Sequence, residues 1–454
     1  MSARNGFLYQ PSVGDFWDPT VVYANGQYYM FTMYGAEAVW LATSADGVHW
    51  KYLYELPIDP QFYRPDGRWD HMFVIPKNDA EPGGGYYGYV VATPLDHGGF
   101  GMMESPDGVR FTPIKAPEIL ADFRVPRFDV GGVKKIGGKY YMIGGTTGHY
   151  GFSGYSVFTY VADPPAGPFR PDTAAYRLTE TSGVDGAPFI SILAAFVKDS
   201  PEDLVSQPFI FSVPGTDGHG TWFLPMRRAV VDSQGHLRLA YWKQNDLAKG
   251  NEIAVDASQN MVVFPPGHRA ADPIVRVAGV KDSLVLHTDK SWRGFPWLDG
   301  GKARRAVVVL SQRFDLDKGL IVEGRISARN PNQSSQAFAG FYVEGVERNT
   351  GTAILLQVGE PQWRESKIGR LRMDVNFQFE PLDVTGRHVA TVNGLDNAKD
   401  HTFRLWLRGG QMELYIDDLL MQSFLMFMPS GRISFISQET EAQFSQLKFY
   451  SMNL

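Results

Sequence analysis

The chain has no cysteine. That excludes disulfides, thiol nucleophiles and thiolate metal sites, and leaves the compartment open. It also lacks any run near the roughly 18 apolar residues of a spanning helix, so no membrane partner is expected. The first residues, Met1-Ser2-Ala3-Arg4-Asn5-Gly6, carry no apolar stretch of signal length. The expected location is the cytoplasm, or the exterior once a leader has been removed. A basic patch is missing too. Net charge is −6 with both signs mixed along the chain, which argues against a nucleic-acid partner. No His, Asp or Glu spacing resembles a zinc or EF-hand site, so neither metal nor cofactor is expected. Helix signals are nearly absent.

What is there is glycine, proline and aromatics. With 48 Gly, 29 Pro and 13% aromatic residues, the composition favours many short strands joined by tight turns. At 454 residues the chain is too long for one ordinary core, so more than one domain is expected.

A repeat organises the first part. Each unit opens with an acid before an apolar strand, turns at glycine into an aromatic strand, and ends in a Ser-x-Asp-Gly turn before an aromatic. The first copy runs from Trp17-Asp18-Pro19-Thr20 through Asn25-Gly26-Gln27-Tyr28-Tyr29 to Ser44-Ala45-Asp46-Gly47 and Trp50. The second opens at Trp69-Asp70-His71 and closes at Ser105-Pro106-Asp107-Gly108 and Phe111. The third opens at Arg127-Phe128-Asp129, with the matching hairpin Gly137-Gly138-Lys139-Tyr140-Tyr141. A fourth is expected from Asp185-Gly186, and a fifth around residues 221–242. The pattern implies a five-bladed β-propeller over residues 1–270.

From about residue 275 the pattern becomes strict alternation, as in Thr402-Phe403-Arg404-Leu405-Trp406-Leu407. Period two marks half-buried antiparallel strands, and residues 275–454 are expected to form a two-sheet β-sandwich. The fold class is therefore all-β. Trp363 and Trp406 either fill the sandwich core or stack on sugars.

Acids at the inner edges of several blades converge on a central funnel, and convergent carboxylates are the equipment of glycoside hydrolysis. The first-blade residues resemble glycoside hydrolase family 32, the invertases, inulinases and levanases. The resemblance implies a five-bladed propeller followed by a β-sandwich, a retaining mechanism and a saccharide substrate. It places Trp17-Asp18-Pro19 at the nucleophile motif and Arg127-Phe128-Asp129 at the transition-state-stabiliser motif. The segment from Trp40 to Trp50 resembles a third family motif. The chain departs from the family in three places. Trp17 stands where an Asn is usual, Phe128 separates Arg127 from Asp129, and the Glu-Cys pair that carries the acid is missing. A propeller family such as glycoside hydrolase family 43 is an equal relative on this pattern.

Asp18 is thus the expected nucleophile, against the alternative of an Asp-Pro turn that merely starts a strand. Asp129 is the expected stabiliser, against an Asp that only satisfies backbone amides. Arg127 either binds a hydroxyl or holds a carboxylate ionised. Glu180 and Asp185 are alternative general acids. Glu180 has a spacing from Asp129 similar to that in the family, whereas Asp185 holds the repeat-equivalent position. Glu252 is a more remote choice. Asp70 and His71 are expected to face the funnel and bind hydroxyls, or to be structural. Trp17 is expected to shape the sugar pocket above Asp18, and Trp40, Trp69 and Trp222 are candidate sugar platforms or inter-blade core. His97, His149 and Tyr150 lie in glycine-rich loops placed to rim a pocket.

The reaction expected is hydrolysis or transfer of a furanosyl unit, with β-fructofuranosides first and arabinofuranosides as the alternative. A degenerate carbohydrate-binding propeller is the rival reading, because function resides in sites and not in folds.

Overall fold

The computed structural model describes residues 16–34, 38–77, 84–150, 155–180, 189–191, 194–198, 200–212, 219–263, 275–288, 305–347, 349–359, 362–373, 378–385, 395–426 and 429–453. The chain is all-β, with propeller blades followed by a β-sandwich; its described helical structure is the short 3-10 turn Lys243–Ala248. Contacts divide it into two compact units. One holds residues 1–178, 192–208 and 231–237, and the other holds 179–191, 209–230 and 238–454.

In the first unit the repeat becomes three antiparallel blades. β1 (Phe16–Ala24), β2 (Gln27–Tyr34), β3 (Ala38–Ser44) and β4 (Lys51–Glu55) form one sheet in chain order. β5 (Trp69–Pro76), β6 (Tyr86–Ala92), β7 (Gly101–Ser105) and β8 (Thr112–Ile114) form the next. β9 (Asp129–Ile136), β10 (Lys139–Thr147), β11 (Tyr155–Ala162) and β12 (Arg170–Pro171) form the third, with β13 (Arg177–Glu180) pairing off β11. The strands Ala195–Phe196 and Leu204–Ser206 add a hairpin in the same unit.

The Ser-x-Asp-Gly repeat has a physical identity. In the first blade, Asp46 Oδ1 accepts the Val48 and His49 amides at 2.8 Å each, while Ser44 Oγ accepts the Gly47 amide at 2.9 Å. In the second, Asp107 Oδ1 accepts the Val109 and Arg110 amides at 2.9 Å, and Ser105 Oγ accepts the Gly108 amide at 2.9 Å. One side-chain network thus closes both turns. The second turn delivers its following aromatic to the space between blades, where Phe111 meets Phe31 edge-on at 5.3 Å. Val22, Phe31 and Leu41 of the first blade share one core with Met72, Val74 and Met103 of the second. Burying each such side chain contributes about 1.5–3 kcal/mol.

Each innermost strand also carries a bulge beside its acid. The β1–β2 register shifts between Trp17 and Thr20, that of β5–β6 between Asp70 and Met72, and that of β9–β10 between Ile143 and Gly144, just after Asp129. His71 is the bulged residue of β5, with φ +26°. Bulges re-aim side chains at strand ends.

The second unit contains the sandwich. One sheet includes, as neighbours in order, Gln411–Ile416, His401–Arg408, Leu320–Arg329, Glu441–Met452, Ser283–Thr288 and Val275–Val280. The other runs Asn260–Val263, Arg305–Arg313, Pro429–Gln438, Phe338–Gly345, Thr350–Val358, Trp363–Arg372 and Gln378–Thr385. Lys249–Ile253 also pairs with Glu441–Met452. The sheets meet in one core, where Phe341 lies 4.9 Å from Phe403 and 5.6 Å from Phe444. Glu441–Met452 shows how alternation survives an irregularity. Ala442 and Phe444 face inward, Gln446 bulges at φ +53°, and Leu447 and Phe449 then take over the inward phase. Trp363 fills the sandwich core, whereas Trp406, out of phase with the core residues Leu405 and Leu407, is buried against Tyr241 at 5.9 Å; neither is open to a sugar. The same unit holds a three-stranded sheet of Phe189–Ser191, Pro208–Ser212 and His219–Phe223.

Candidate active site

The site is built where β5 and β9 begin. Arg68, just ahead of β5, is the hub. Its Nε donates to Asp70 Oδ2 at 2.7 Å and its Nη2 to Asp70 Oδ1 at 3.1 Å. Its Nη1 donates to Asp129 Oδ1 at 2.6 Å. Asp129 is completed by Tyr155, whose hydroxyl donates to Oδ2 at 3.0 Å. The chain admits that hydroxyl because position 145, opposite Asp129 in β10, is glycine. A Cβ there would fall 2.0 Å from the Tyr155 oxygen. Asp129 keeps 28% of its side chain exposed, whereas Asp70 keeps 1%.

These placements set the electrostatics. Burial opposes the charge of Arg68, but the Asp70 hydrogen bond and both carboxylates outweigh it and hold the guanidinium firmly protonated. Burial pushes the Asp70 carboxyl up, Arg68 pulls it down, and the neighbouring Asp129 charge adds to the rise. One cation therefore binds two carboxylates, one sunk in the fold and one at its surface.

Beside this cluster opens a cavity of about 1020 Å³ lined by Arg68, Thr93, Arg127, Thr146, His149 and neighbours. The Thr93 hydroxyl accepts from the Arg68 amide and from Arg127 Nη1, both at 3.0 Å. His149 is held by a 3.0 Å contact between Nε2 and the Tyr176 hydroxyl, and burial lowers its pKa. Phe123, on the same wall, packs at 5.6 Å from the His149 ring and 5.0 Å from that of Tyr150. Among the described residues no group of three or more His, Asp or Glu is placed to hold a metal. No described helix is long and apolar enough to cross a membrane.

The sequence-derived candidates fall into three sets. Asp129 is at the mouth of β9, partnered by Arg68 and Tyr155. Asp70, His71 and Trp69 are buried, and Trp40 is partly so. Asp70 is buried with both oxygens on Arg68, so it anchors that side chain. His71 is 6% exposed. Trp69 is 1% exposed and packs on Tyr63 at 5.1 Å, so it is inter-blade core and not a platform. Trp40 is half-buried against Tyr52 at 4.8 Å. Arg127 lines the cavity and donates to Thr93, whereas Arg68 is the arginine that holds Asp129. Glu252 is exposed on a strand that pairs into the sandwich. For Trp17, Asp18, Glu180 and Trp222 the backbone is described, in β1, at the end of β13 and in His219–Phe223, while their side chains lie outside the described residues. Asp185 lies outside them altogether.

Three contributors were missed in the sequence: Arg68, Tyr155 and Thr93. A signal existed for one of them. The pair Gly144-Gly145 inside an otherwise apolar strand marks a close approach by another group.

No family model and no curated protein matches the sequence. Solved structures do resemble it over nearly its full length. A fructosyltransferase from A. japonicus is 11% identical, with a TM-score of 0.49 over 98% of this chain and 94% of its own. A Bombyx mori β-fructofuranosidase of glycoside hydrolase family 32, in complex with sucrose, is 10% identical, with a TM-score of 0.47 over 98% and 92%. A family 43 protein from Bacillus licheniformis is 13% identical, with a TM-score of 0.33 over 97% and 86%. The chain is thus similar to family 32 and family 43 proteins at distant identity, and its chemistry rests on its own residues.

Proposed function

We propose that the chain is a glycoside hydrolase of the two-carboxylate type acting on furanosyl linkages, with β-fructofuranosides as its first substrate class. The observation that carries this reading is Asp129, which stands at a blade's inner strand, held by Arg68 and Tyr155 and still partly exposed beside a large polar cavity. A carboxylate so fixed can stabilise an oxocarbenium-like centre by charge and hydrogen bonding without reorganising.

In this reading Asp18 attacks the anomeric carbon as the bond to the leaving oxygen breaks. Glu180 or Asp185 gives its proton to that oxygen. Water, deprotonated by the same group, then releases the sugar. Support for Asp18 comes from its motif and from the register shift that β1 shares with the acid-bearing ends of β5 and β9.

The test is sugar release from sucrose, inulin, levan and arabinan by wild type, Asp18→Asn and Asp129→Asn. Loss of about 10³-fold or more in kcat is expected for Asp18→Asn, and about 10²–10³-fold for Asp129→Asn, with folding unchanged by circular dichroism. Full activity in Asp18→Asn would remove the nucleophile assignment. Inactivity of wild type on all four substrates would favour another glycan or a binding propeller.

A further inference from the structure

The cavity wall is cationic, although the chain as a whole is not. Arg64, Arg68, Arg124 and Arg127 line it together with His97 and His149, and Asp96 is the single carboxylate among the described lining residues. This concentration stands against a net charge of −6 for the whole chain. Arg68 is neutralised by Asp70 and Asp129, but the other three arginines have no ion pair among the described residues. Among the described residues Arg127 donates its side chain to the neutral Thr93 hydroxyl alone. Arg64 is positioned through its backbone, its amide donating to Thr93 O at 2.9 Å and its carbonyl accepting from the Gly67 amide at 3.0 Å, and its guanidinium has no hydrogen-bond partner among the described residues. Both ring nitrogens of His97 lack hydrogen-bond partners, the nearest charge being Asp96 at 3.8 Å.

A neutral sugar does not need this arrangement. Its hydroxyls bind well to carboxylates, amides and aromatic faces, whereas several unpaired guanidiniums in one concavity repel one another and raise a positive potential. That repulsion is offset when an oxyanion enters. Guanidinium forks match carboxylate and sulfate oxygens in pairs.

We infer that the site takes an anionic saccharide, one bearing a carboxylate or sulfate group that Arg64, Arg124 and Arg127 receive. The inference names the substrate class of the proposed glycosidase site and rests on that reading for the location of the scissile bond. Phe123, the aromatic residue of the wall, then covers the apolar face of the sugar while the arginines hold its charge.

The experiment compares short oligomers of inulin, carboxymethylated inulin and sulfated inulin by titration calorimetry at low and at 0.3 M salt, using the full chain. The anionic oligomers are expected to bind at least about tenfold more tightly than the neutral one at low salt, with the gap narrowing as salt screens it. Tighter binding of the carboxymethyl form points to a uronate-like group, tighter binding of the sulfated form to a sulfate, and equal binding to either oxyanion; all three support the inference. Arg64→Gln and Arg124→Gln, both at exposed positions, should each weaken anionic binding about 5–10-fold and neutral binding by less, so that the anion preference shrinks. Lysine at either position should restore part of the loss. Equal affinity for neutral and anionic oligomers, or anionic binding indifferent to both substitutions, would overturn it. The two readings fail separately. Anion-selective binding without hydrolysis of any furanoside would sink the glycosidase, whereas hydrolysis of neutral inulin without anion preference would sink the present inference.

Discussion

Arg68 decides how the candidate site is held. Its guanidinium spans a buried carboxylate and an exposed one, so its loss acts in two ways. Arg68→Gln leaves Asp70 buried without its cation, which should cost about 2–3 kcal/mol, below the value for a fully buried pair because Arg68 is partly exposed. It also removes the hydrogen bond that fixes Asp129 Oδ1, so kcat should fall about 10-fold or more. Adding Asp70→Asn removes the orphaned charge and should restore most of the stability but not the activity. Equal melting of the single and double variants would show that Asp70 does not depend on Arg68.

At the scale of elements, the Ser-x-Asp-Gly turns explain why two blades end alike. Both glycines sit in the left-handed region, Gly47 at φ +73° and Gly108 at φ +77°. Alanine is strained at each by about 1 kcal/mol or more. The two sites differ in space. A Cβ at 47 would lie 3.6 Å from the Tyr28 ring, but at 108 it would lie 3.0 Å from the Tyr86 ring. Gly108→Ala should therefore destabilise more than Gly47→Ala, by about a further 1 kcal/mol. Denaturant melts of the two variants check this, and the reverse order would mean that the turn networks, not the ring contacts, set the cost.

At the scale of the whole molecule, the pH dependence of stability has an identifiable contributor in the sandwich. His401 Nδ1 meets Asp417 Oδ2 at 2.6 Å, and its Nε2 meets Asp396 O at 2.7 Å. The Asp417 hydrogen bond raises the His401 pKa above its ordinary 6.5, against the effect of burial. Burial raises the Asp417 carboxyl, but His401 outweighs it and the net shift is downward from 3.8. The histidine's contribution is complete below pH 6.5 and is lost as pH rises through its raised folded value; the aspartate's is present above pH 3.8 and is lost on acidification through its lowered value. With Asp417 41% exposed, screening limits the pair to about 0.5 kcal/mol, or about 1–2 °C in Tm. Between pH 6 and 8.5 the wild type should lose that much more Tm than Asp417→Asn. Parallel curves would assign the dependence to other groups.

Much of the architecture was legible in the chain. The turn network needs only residues within one short segment, and strand alternation is local, so both leave a record in residue order. The acids at strand starts were legible for the same reason, and Asp129 is where that pattern placed it. What lay beyond residue order was pairing across blades. Arg68 and Asp129 are 61 residues apart, and nothing local says that Arg68, rather than Arg127, reaches the carboxylate. Residue order leaves Trp69 open between sugar platform and inter-blade core, and Tyr63, packed on it, decides for the core. The sequence by itself determined an all-β chain with repeated acid-led strands, because period and turn chemistry are short-range. Tertiary structure decided which side chains are buried, which carboxylate stays exposed, and that three arginines without an ion pair among the described residues line one cavity, because burial and charge pairing depend on distances that only packing sets.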